Sequence, residues 1–162
     1  MVSEIDRIDG LRILIVDDEP DILESLEELL PMCELIKAHN FEEAKKHLEN
    51  DHFDICILDI MGVDGYQLLE IANEKDVIAV MLTGHSLSVG DTVRSFKEGA
   101  AYYVPKEKMA EIATYLNDVL EVKKENKSLL DRWLDRFVGY YDSKFGQDWQ
   151  DEDKAFWKRF RI

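Results

Sequence analysis

Five polar residues each follow a short apolar run in this chain. Asp17 and Asp18 come after Ile-Leu-Ile-Val, Asp59 after Ile-Cys-Ile-Leu, Thr83 after Ala-Val-Met-Leu, and Lys106 after Tyr-Tyr-Val-Pro. An apolar run without polar alternation is typical of a strand that helices cover on both faces, as in a parallel sheet. Because such sheets place their chemistry at the carboxyl ends of the strands, we expect these side chains to meet at one edge.

The chemistry that such a cluster could perform follows from its charges. Three neighbouring carboxylates repel, so at neutral pH they need a cation or a raised pKa. An all-oxygen cluster with few ligands suits Mg2+, which often bridges to phosphate, so we expect a magnesium site at Asp17, Asp18 and Asp59. With the hydroxyl of Thr83 and the ammonium of Lys106 opposite, Asp59 could accept a phosphoryl group as an aspartyl phosphate. Positioning and charge neutralisation would then supply most of the catalysis.

The elements that must position these residues alternate between strand and helix over about 120 residues. Such alternation implies βαβ crossovers and a parallel sheet. The predicted strands are 12–17, 34–38, 53–59, 77–83 and 101–104. The predicted helices are 20–31, one that begins after Asn40, 65–74, 88–98, and one that begins near Glu107. The fold class is therefore α/β.

Taken together and in order, these motifs resemble the receiver domain of bacterial two-component response regulators. They are Ile-Leu-Ile-Val-Asp-Asp-Glu-Pro, the strand ending on Asp59, Met-Leu-Thr-Gly, and Gly-Ala-Ala-Tyr-Tyr-Val-Pro-Lys. The resemblance covers about residues 10–120. It implies a flavodoxin-like, doubly wound sheet in the order 2-1-3-4-5, Mg2+ as cofactor, and a histidine kinase or phosphotransfer protein as partner. We therefore predict a lead-in over 1–9 and a receiver domain over 10–122.

The resemblance also implies a role for each residue that matches the family's motifs. Asp17 and Asp18 match the acidic metal pair, Asp59 the phosphoacceptor, Thr83 the switch hydroxyl, Tyr103 the switch aromatic, Lys106 the phosphate-binding lysine, and Met61 the residue whose backbone carbonyl completes the metal site. In this scheme, phosphorylation draws in Thr83 and frees space for Tyr103 to turn inward. The face made by the fourth helix, fifth strand and fifth helix then changes its affinity for partners.

Two features depart from the family's pattern. Asp59 and Gly65 are six positions apart, two fewer than usual, and the proline of this loop is missing. A shorter loop could offer the carbonyl of Ile60 or Gly62 in place of Met61. The family's Lys-Pro dipeptide is replaced by Pro-Lys-Glu around Lys106. Neither change removes a charged or hydroxyl group from the predicted site.

Each of these residues alone has an ordinary explanation. Asp17 and Asp18 alone are more often a strand-end turn or a helix cap, and Thr83 alone is more often an ordinary strand residue. Tyr103 could simply pack on the edge strand, and helix capping explains Glu19 as well as metal binding does. The phosphoryl-transfer interpretation therefore depends on the arrangement of these residues in register.

Composition limits the classes of partner. The chain has 35 acidic and 20 basic residues and a formal charge of -15, which disfavours non-specific binding to nucleic acid or anionic membranes. Cys33 and Cys56 lack the spacing of a metal or redox motif and are expected to be core residues in a reducing cytosol. No apolar run reaches membrane-spanning length and no signal stretch is recognisable, so we expect a cytoplasmic protein.

Residues 123–162 form a predicted helical, aromatic-rich extension. Nine of the chain's sixteen aromatic residues lie between Trp133 and Phe160, and residues 121–162 carry ten basic and nine acidic side chains. The apolar spacing stays helical past residue 123 and predicts that the fifth helix runs on into the extension. The aromatic residues could cover the receiver's own surface or form a partner interface. We favour self-association, which would make the protein a homodimer.

Several functions follow from these expectations. We favour a phosphorylation-switched module that acts through protein contacts and catalyses at most its own phosphorylation and dephosphorylation. The alternatives are a transcriptional regulator with a compact DNA-binding tail, and a phosphorylation-independent scaffold whose shortened loop has disabled the site. A phosphatase with an aspartate nucleophile ranks last, because that class usually carries Asp-x-Asp where this chain has Asp17-Asp18-Glu19.

Overall fold

A computed structural model describes residues 7–84, 87–125 and 128–159. The strands are β1 (Arg12–Val16), β2 (Glu34–Ala38), β3 (Ile55–Leu58), β4 (Ile78–Thr83) and β5 (Tyr102–Pro105). The helices are α1 (Pro20–Leu29), α2 (Phe41–Asn50), α3 (Gly65–Glu74), α4 (Val89–Lys97), α5 (Ile112–Glu125), α6 (Leu129–Phe145) and α7 (Lys154–Arg159). All strand pairs are parallel and the sheet order is β2-β1-β3-β4-β5. The predicted flavodoxin-like architecture with C-terminal helices is confirmed.

The apolar strands separate two hydrophobic layers. Successive strand residues point to opposite faces of a sheet, so Ile13 and Ile15 of β1 join one buried cluster, and Leu14 and Val16 join the other. The first cluster contains the apolar sides of α1 and α5, and the second contains those of α2 and α3. Burial on both faces explains why these strands contain no polar alternation.

The junction between α5 and the extension differs from the expectation. Residues 106–111 form a 3-10 helix, and α5 begins only at Ile112. The fifth helix enters the predicted extension only as far as Glu125 and does not continue through it, because Ser128 is non-helical and starts a new helix. The Ser128 hydroxyl accepts a hydrogen bond from the Asp131 N–H at 3.3 Å, an N-cap that satisfies a donor left free at a helix start. The new helix, α6, then ends before Gly146, whose φ is 90°.

The aromatic side chains of the extension lie inside the chain's own core. Trp133, Phe137, Tyr141, Trp149 and Trp157 are buried in the cluster that also holds side chains of α4, β5 and α5. The Trp133 ring lies 5.3 Å from that of Phe137 and 5.0 Å from that of Tyr141, in stacked and T-shaped arrangements that aromatic pairs favour. Packing against α4, β5 and α5 of the same chain therefore accounts for these residues.

A buried carboxylate on α5 joins α6 to the sheet. Asp118, only 2% exposed, accepts hydrogen bonds from the Tyr102 hydroxyl at 3.0 Å and from Arg132 Nη1 at 3.0 Å. Arg136 binds it in a bidentate pair at 2.8 and 2.9 Å. A buried charge is tolerated when it is paired and hydrogen-bonded in this way.

Within the described ranges, no helix is both long enough and apolar enough to cross a membrane.

Removing the Asp118 charge should weaken the attachment of α6 to α5. We expect Asp118→Asn to lower the free energy of unfolding by about 3 kcal/mol, because two guanidinium groups lose their buried partner. Urea denaturation followed by circular dichroism measures this change. Asp135→Asn, on the exposed face of the same helix as Arg132 and Arg136, is the matched control and should change stability by less than about 0.5 kcal/mol. Equal stability of the two variants would contradict the assigned role.

Candidate functional site

The strand ends converge as the sequence predicts. Val16 pairs with Leu58 and Thr83 pairs with Pro105 across the sheet, so the polar residues that follow or end these strands lie at one edge. There they surround a cavity of about 290 Å3. Its lining residues are Asp18, Glu19, Asp59, Met61, Gly62, Thr83 and Lys106. The cavity is open enough for a small anion and its water.

Among the described residues, Lys106 is the one whose cationic group contacts the carboxylates of this site. Its Nζ lies 2.9 Å from Asp17 Oδ2, 3.1 Å from Glu19 Oε2 and 3.5 Å from Asp59 Oδ1. Burial alone would lower the pKa of Lys106, but the close contact with Asp17 and the charges of Asp17 and Asp59 outweigh it, and the pKa is raised. The ammonium therefore stays charged at neutral pH. Although this chain has Pro-Lys where the family has Lys-Pro, the Lys106 ammonium still lies beside Asp59.

Three carboxylates lie close together, and two of them, Asp17 and Asp59, also lie near the Lys106 ammonium. One oxygen each from Asp17, Asp18 and Asp59 lies within 4.8 Å of the others. Burial, then the charge of Asp17, raises the pKa of Asp59 to about 6, although Lys106 opposes the shift. Burial likewise raises the pKa of Asp17. The site thus holds more negative charge than Lys106 can neutralise, and a bound cation or a proton would relieve the excess.

The short loop after Asp59 fits closely against the site because it contains two glycines. A Cβ on Gly62, whose φ is 83°, would lie 2.5 Å from Asp18 Oδ2, and a Cβ on Gly65 would collide with the Asp59 carbonyl oxygen. The Ile60 carbonyl accepts the Gly65 N–H at 3.0 Å, so it already has a partner within the turn. Met61 and Gly62 line the cavity, and the Met61 side chain is 61% exposed. Any role of Met61 in the site therefore belongs to its backbone.

Glu19 has a clearer place in the structure than its sequence context indicated. It occupies the N-cap position of α1 but makes no side-chain capping hydrogen bond. Its carboxylate instead binds Lys106, and its N–H donates to Asp17 Oδ1 at 2.9 Å. The sequence feature that could have indicated a site role for Glu19 is its position directly after Asp17 and Asp18. The Glu19 carboxylate, 3.1 Å from Lys106, therefore belongs to the site and does not cap α1.

Tyr103 lies apart from the cavity wall. Its side chain is fully buried, within the cluster that contains Leu14, Leu58 and Met81. Its backbone carbonyl accepts a hydrogen bond from Trp133 Nε1 at 2.7 Å. The structure thus shows an inward aromatic ring, and the switch role of Tyr103 stays a prediction.

The match to a known family extends over most of the chain. Residues 13–117 match the family model described as the response regulator receiver domain. The chain belongs to this family. The receiver fold is also the fold of the solved structures that it resembles. A CheY-like receiver domain protein from Methanospirillum hungatei JF-1 has a TM-score of 0.63 and 30% identity, covering 72% of this chain and 98% of the other.

Curated relatives of the receiver include a protein of Arabidopsis thaliana and one of Escherichia coli. It is 36% identical over 104 residues to the two-component response regulator ARR18 of Arabidopsis thaliana, covering 60% of this chain and 16% of that protein. It is 34% identical over 102 residues to the transcriptional regulatory protein CpxR of Escherichia coli K12, covering 59% of this chain and 42% of that protein. The match therefore spans less than half of either relative, and their outputs do not transfer with it.

The raised pKa of Asp59 predicts a specific pH dependence in metal-free protein. Since the folded state holds this proton more tightly than the unfolded state, stability falls as pH rises from about 4 through about 6. Asp59→Asn removes this cost and should raise the free energy of unfolding at pH 7 by about 1 to 3 kcal/mol. At pH 4 the difference should nearly vanish. Urea titrations at both pH values, in the presence of a chelator, measure it.

Asp64→Asn, an exposed carboxylate of the same loop, is the control and should show no such gain. An Asp59→Asn variant less stable than wild type at pH 7 would mean that the carboxylate is stabilised, not strained, by its surroundings.

Proposed function

We propose that Asp59 accepts a phosphoryl group from the phosphohistidine of a histidine kinase or phosphotransfer protein. The observation that carries the proposal is the position of Asp59, a 6%-exposed carboxylate at an open cavity, 3.5 Å from the Lys106 ammonium and next to two further carboxylates. Membership of the receiver family supports the same chemistry.

The donor set fits Mg2+, which prefers oxygen ligands and keeps several waters. Asp17 Oδ1 accepts the Glu19 N–H, and Asp17 Oδ2 is ion-paired with the Lys106 ammonium at 2.9 Å but accepts no hydrogen bond within the described residues. Asp18 and Asp59 are therefore the more direct ligands, together with the carbonyl of Met61 or Gly62. A bound Mg2+ would neutralise charge on the phosphoryl oxygens and favour the ionised, nucleophilic form of Asp59.

The transfer needs one bond made and one broken. An Oδ atom of Asp59 forms the new P–O bond while the P–N bond of the donor breaks, and the imidazole keeps the electron pair. Lys106 donates to a phosphoryl oxygen from its place beside Asp59, and the Thr83 hydroxyl does so from the cavity wall. Attack of water on phosphorus later breaks the bond between phosphorus and the Asp59 Oδ atom, releases inorganic phosphate and restores the carboxylate. In this scheme the chain catalyses at most its own phosphorylation and dephosphorylation.

The output is proposed to be a change in protein contacts. Several relatives are transcriptional regulators, but the basic residues of α6 give no support to a DNA-binding tail here. Arg132 and Arg136 pair with Asp118, and Lys144 pairs with Glu107 at 3.0 Å. A homodimer through α5 and the extension stays a prediction. The aromatic residues expected to build its interface are buried within one chain.

Phosphorylation can be tested with a small-molecule donor. We expect acetyl phosphate and Mg2+ to add a single phosphoryl group, seen by intact mass spectrometry, and Asp59→Asn to abolish it. Asp64→Asn should leave the adduct unchanged. An adduct that survives in Asp59→Asn would place the acceptor elsewhere, whereas no adduct with any donor would favour the scaffold interpretation. Release of more than one equivalent of phosphate from a stable phosphate ester would revive the phosphatase.

Magnesium binding can be tested separately. Calorimetric titration of the full chain should show one Mg2+ site, which Asp18→Asn weakens by about tenfold or more, because it removes a charged ligand. Asp21→Asn changes an exposed carboxylate in the first turn of α1 and should bind Mg2+ like wild type. Equal loss of affinity in both variants would indicate a diffuse effect of surface charge and no defined site.

A further inference from the structure

Two polar contacts connect the C-terminal extension to the elements that build the site. The Thr92 Oγ1 on α4 lies 2.6 Å from the Tyr141 hydroxyl on α6, and both residues are fully buried. Because α4 follows the strand that ends on Thr83, this contact attaches the extension to the chain segment that leaves the cavity. Because both hydroxyl groups are buried in the core, water is not available to replace this hydrogen bond if it is lost.

The second contact attaches the extension to β5. Trp133 Nε1 donates to the Tyr103 carbonyl at 2.7 Å, and β5 is an edge strand with β4 on one side only. A buried backbone carbonyl at an edge needs a partner, and α6 supplies it. Lys106 comes three residues after Tyr103, so the position of this strand sets the position of the ammonium beside Asp59.

We propose that Trp133 and Tyr141 are positioning residues for phosphoryl binding at Asp59. The docked extension holds β5 and α4 where Lys106 and Thr83 meet the phosphoryl group. The inference rests on the proposed function and deepens it, since it makes the extension part of the receiver's regulation. Because coupling between two equilibria is reciprocal, a phosphoryl group on Asp59 must in turn strengthen the docking of α6.

The chain contains its own probe of that docking. All three tryptophans, Trp133, Trp149 and Trp157, lie in the extension and are buried in one cluster. Their rings contact one another, with centroids 5.0 to 6.4 Å apart. Tryptophan emission and its quenching by acrylamide therefore report whether the extension is docked or exposed.

Two matched pairs of variants separate positioning from packing. Tyr141→Phe removes the hydroxyl that meets Thr92, and Tyr140→Phe removes a neighbouring hydroxyl on the same helix. Trp133→Phe removes the indole N–H that donates to the Tyr103 carbonyl. Its control is Trp149→Phe, because the Trp149 indole N–H donates to Asp142, which also lies in the extension, at 2.9 Å. Each control makes the same chemical change and leaves the hydrogen bonds from Tyr141 to Thr92 and from Trp133 to Tyr103 in place.

The measurement is the affinity of the full chain for beryllofluoride, a phosphoryl mimic, in the presence of Mg2+, followed by 19F NMR. We expect Tyr141→Phe and Trp133→Phe to weaken binding by about fivefold or more, a typical coupling between linked sites. Tyr140→Phe and Trp149→Phe should bind like wild type. In wild type, saturation with beryllofluoride should reduce acrylamide quenching of the tryptophans.

The outcomes distinguish this inference from the proposed function. If all four variants bind beryllofluoride like wild type and Asp59→Asn does not bind it, the positioning role is overturned and the phosphoacceptor stands. Tighter binding by Tyr141→Phe or Trp133→Phe would overturn it too, because the extension would then oppose phosphorylation. If wild type binds no beryllofluoride, the proposed function and the inference fail together.

Discussion

The ammonium of Lys106 is the interaction on which the acidic site depends. It lies within 3.5 Å of carboxylates on three segments, after β1, at the start of α1 and after β3. Without it, the carboxylates of Asp17 and Asp59 would be buried together with no cation, which costs far more than a protein can offset except by protonation. With it, the charge is only partly balanced, and the remaining excess favours Mg2+ and a phosphoryl group.

Lys106 directly follows β5, the edge strand of the sheet, and this strand also contacts the extension. An exposed edge strand invites pairing with other chains, and proteins often cover such an edge with a helix or loop. Here α6 covers β5, and its tryptophan binds the Tyr103 carbonyl. One element thus protects the edge and lies against the strand that positions the ammonium.

In the extension, one pattern of apolar residues is compatible with two different structures. Apolar residues at helical spacing predicted the helices of the tail, but the same spacing suits one long helix or two that fold back. Ser128 decides in favour of a second helix, because its hydroxyl caps the new N-terminus. The aromatic residues suited an interface with another chain as well as with this one. Only the distances show that Trp133 and Tyr141 lie in the chain's own core.

The residues alone were enough to predict the α/β fold class and the convergence of Asp17, Asp59, Thr83 and Lys106, and the family resemblance added the strand order. This was possible because apolar runs without alternation indicate a parallel sheet, and parallel strands end at one edge. The partners of each charged group, in contrast, are known only from the folded structure. Glu19 binds Lys106 across 87 positions of sequence, and Arg132 and Arg136 meet at Asp118. Such contacts depend on packing between distant segments, which no local pattern of residues encodes.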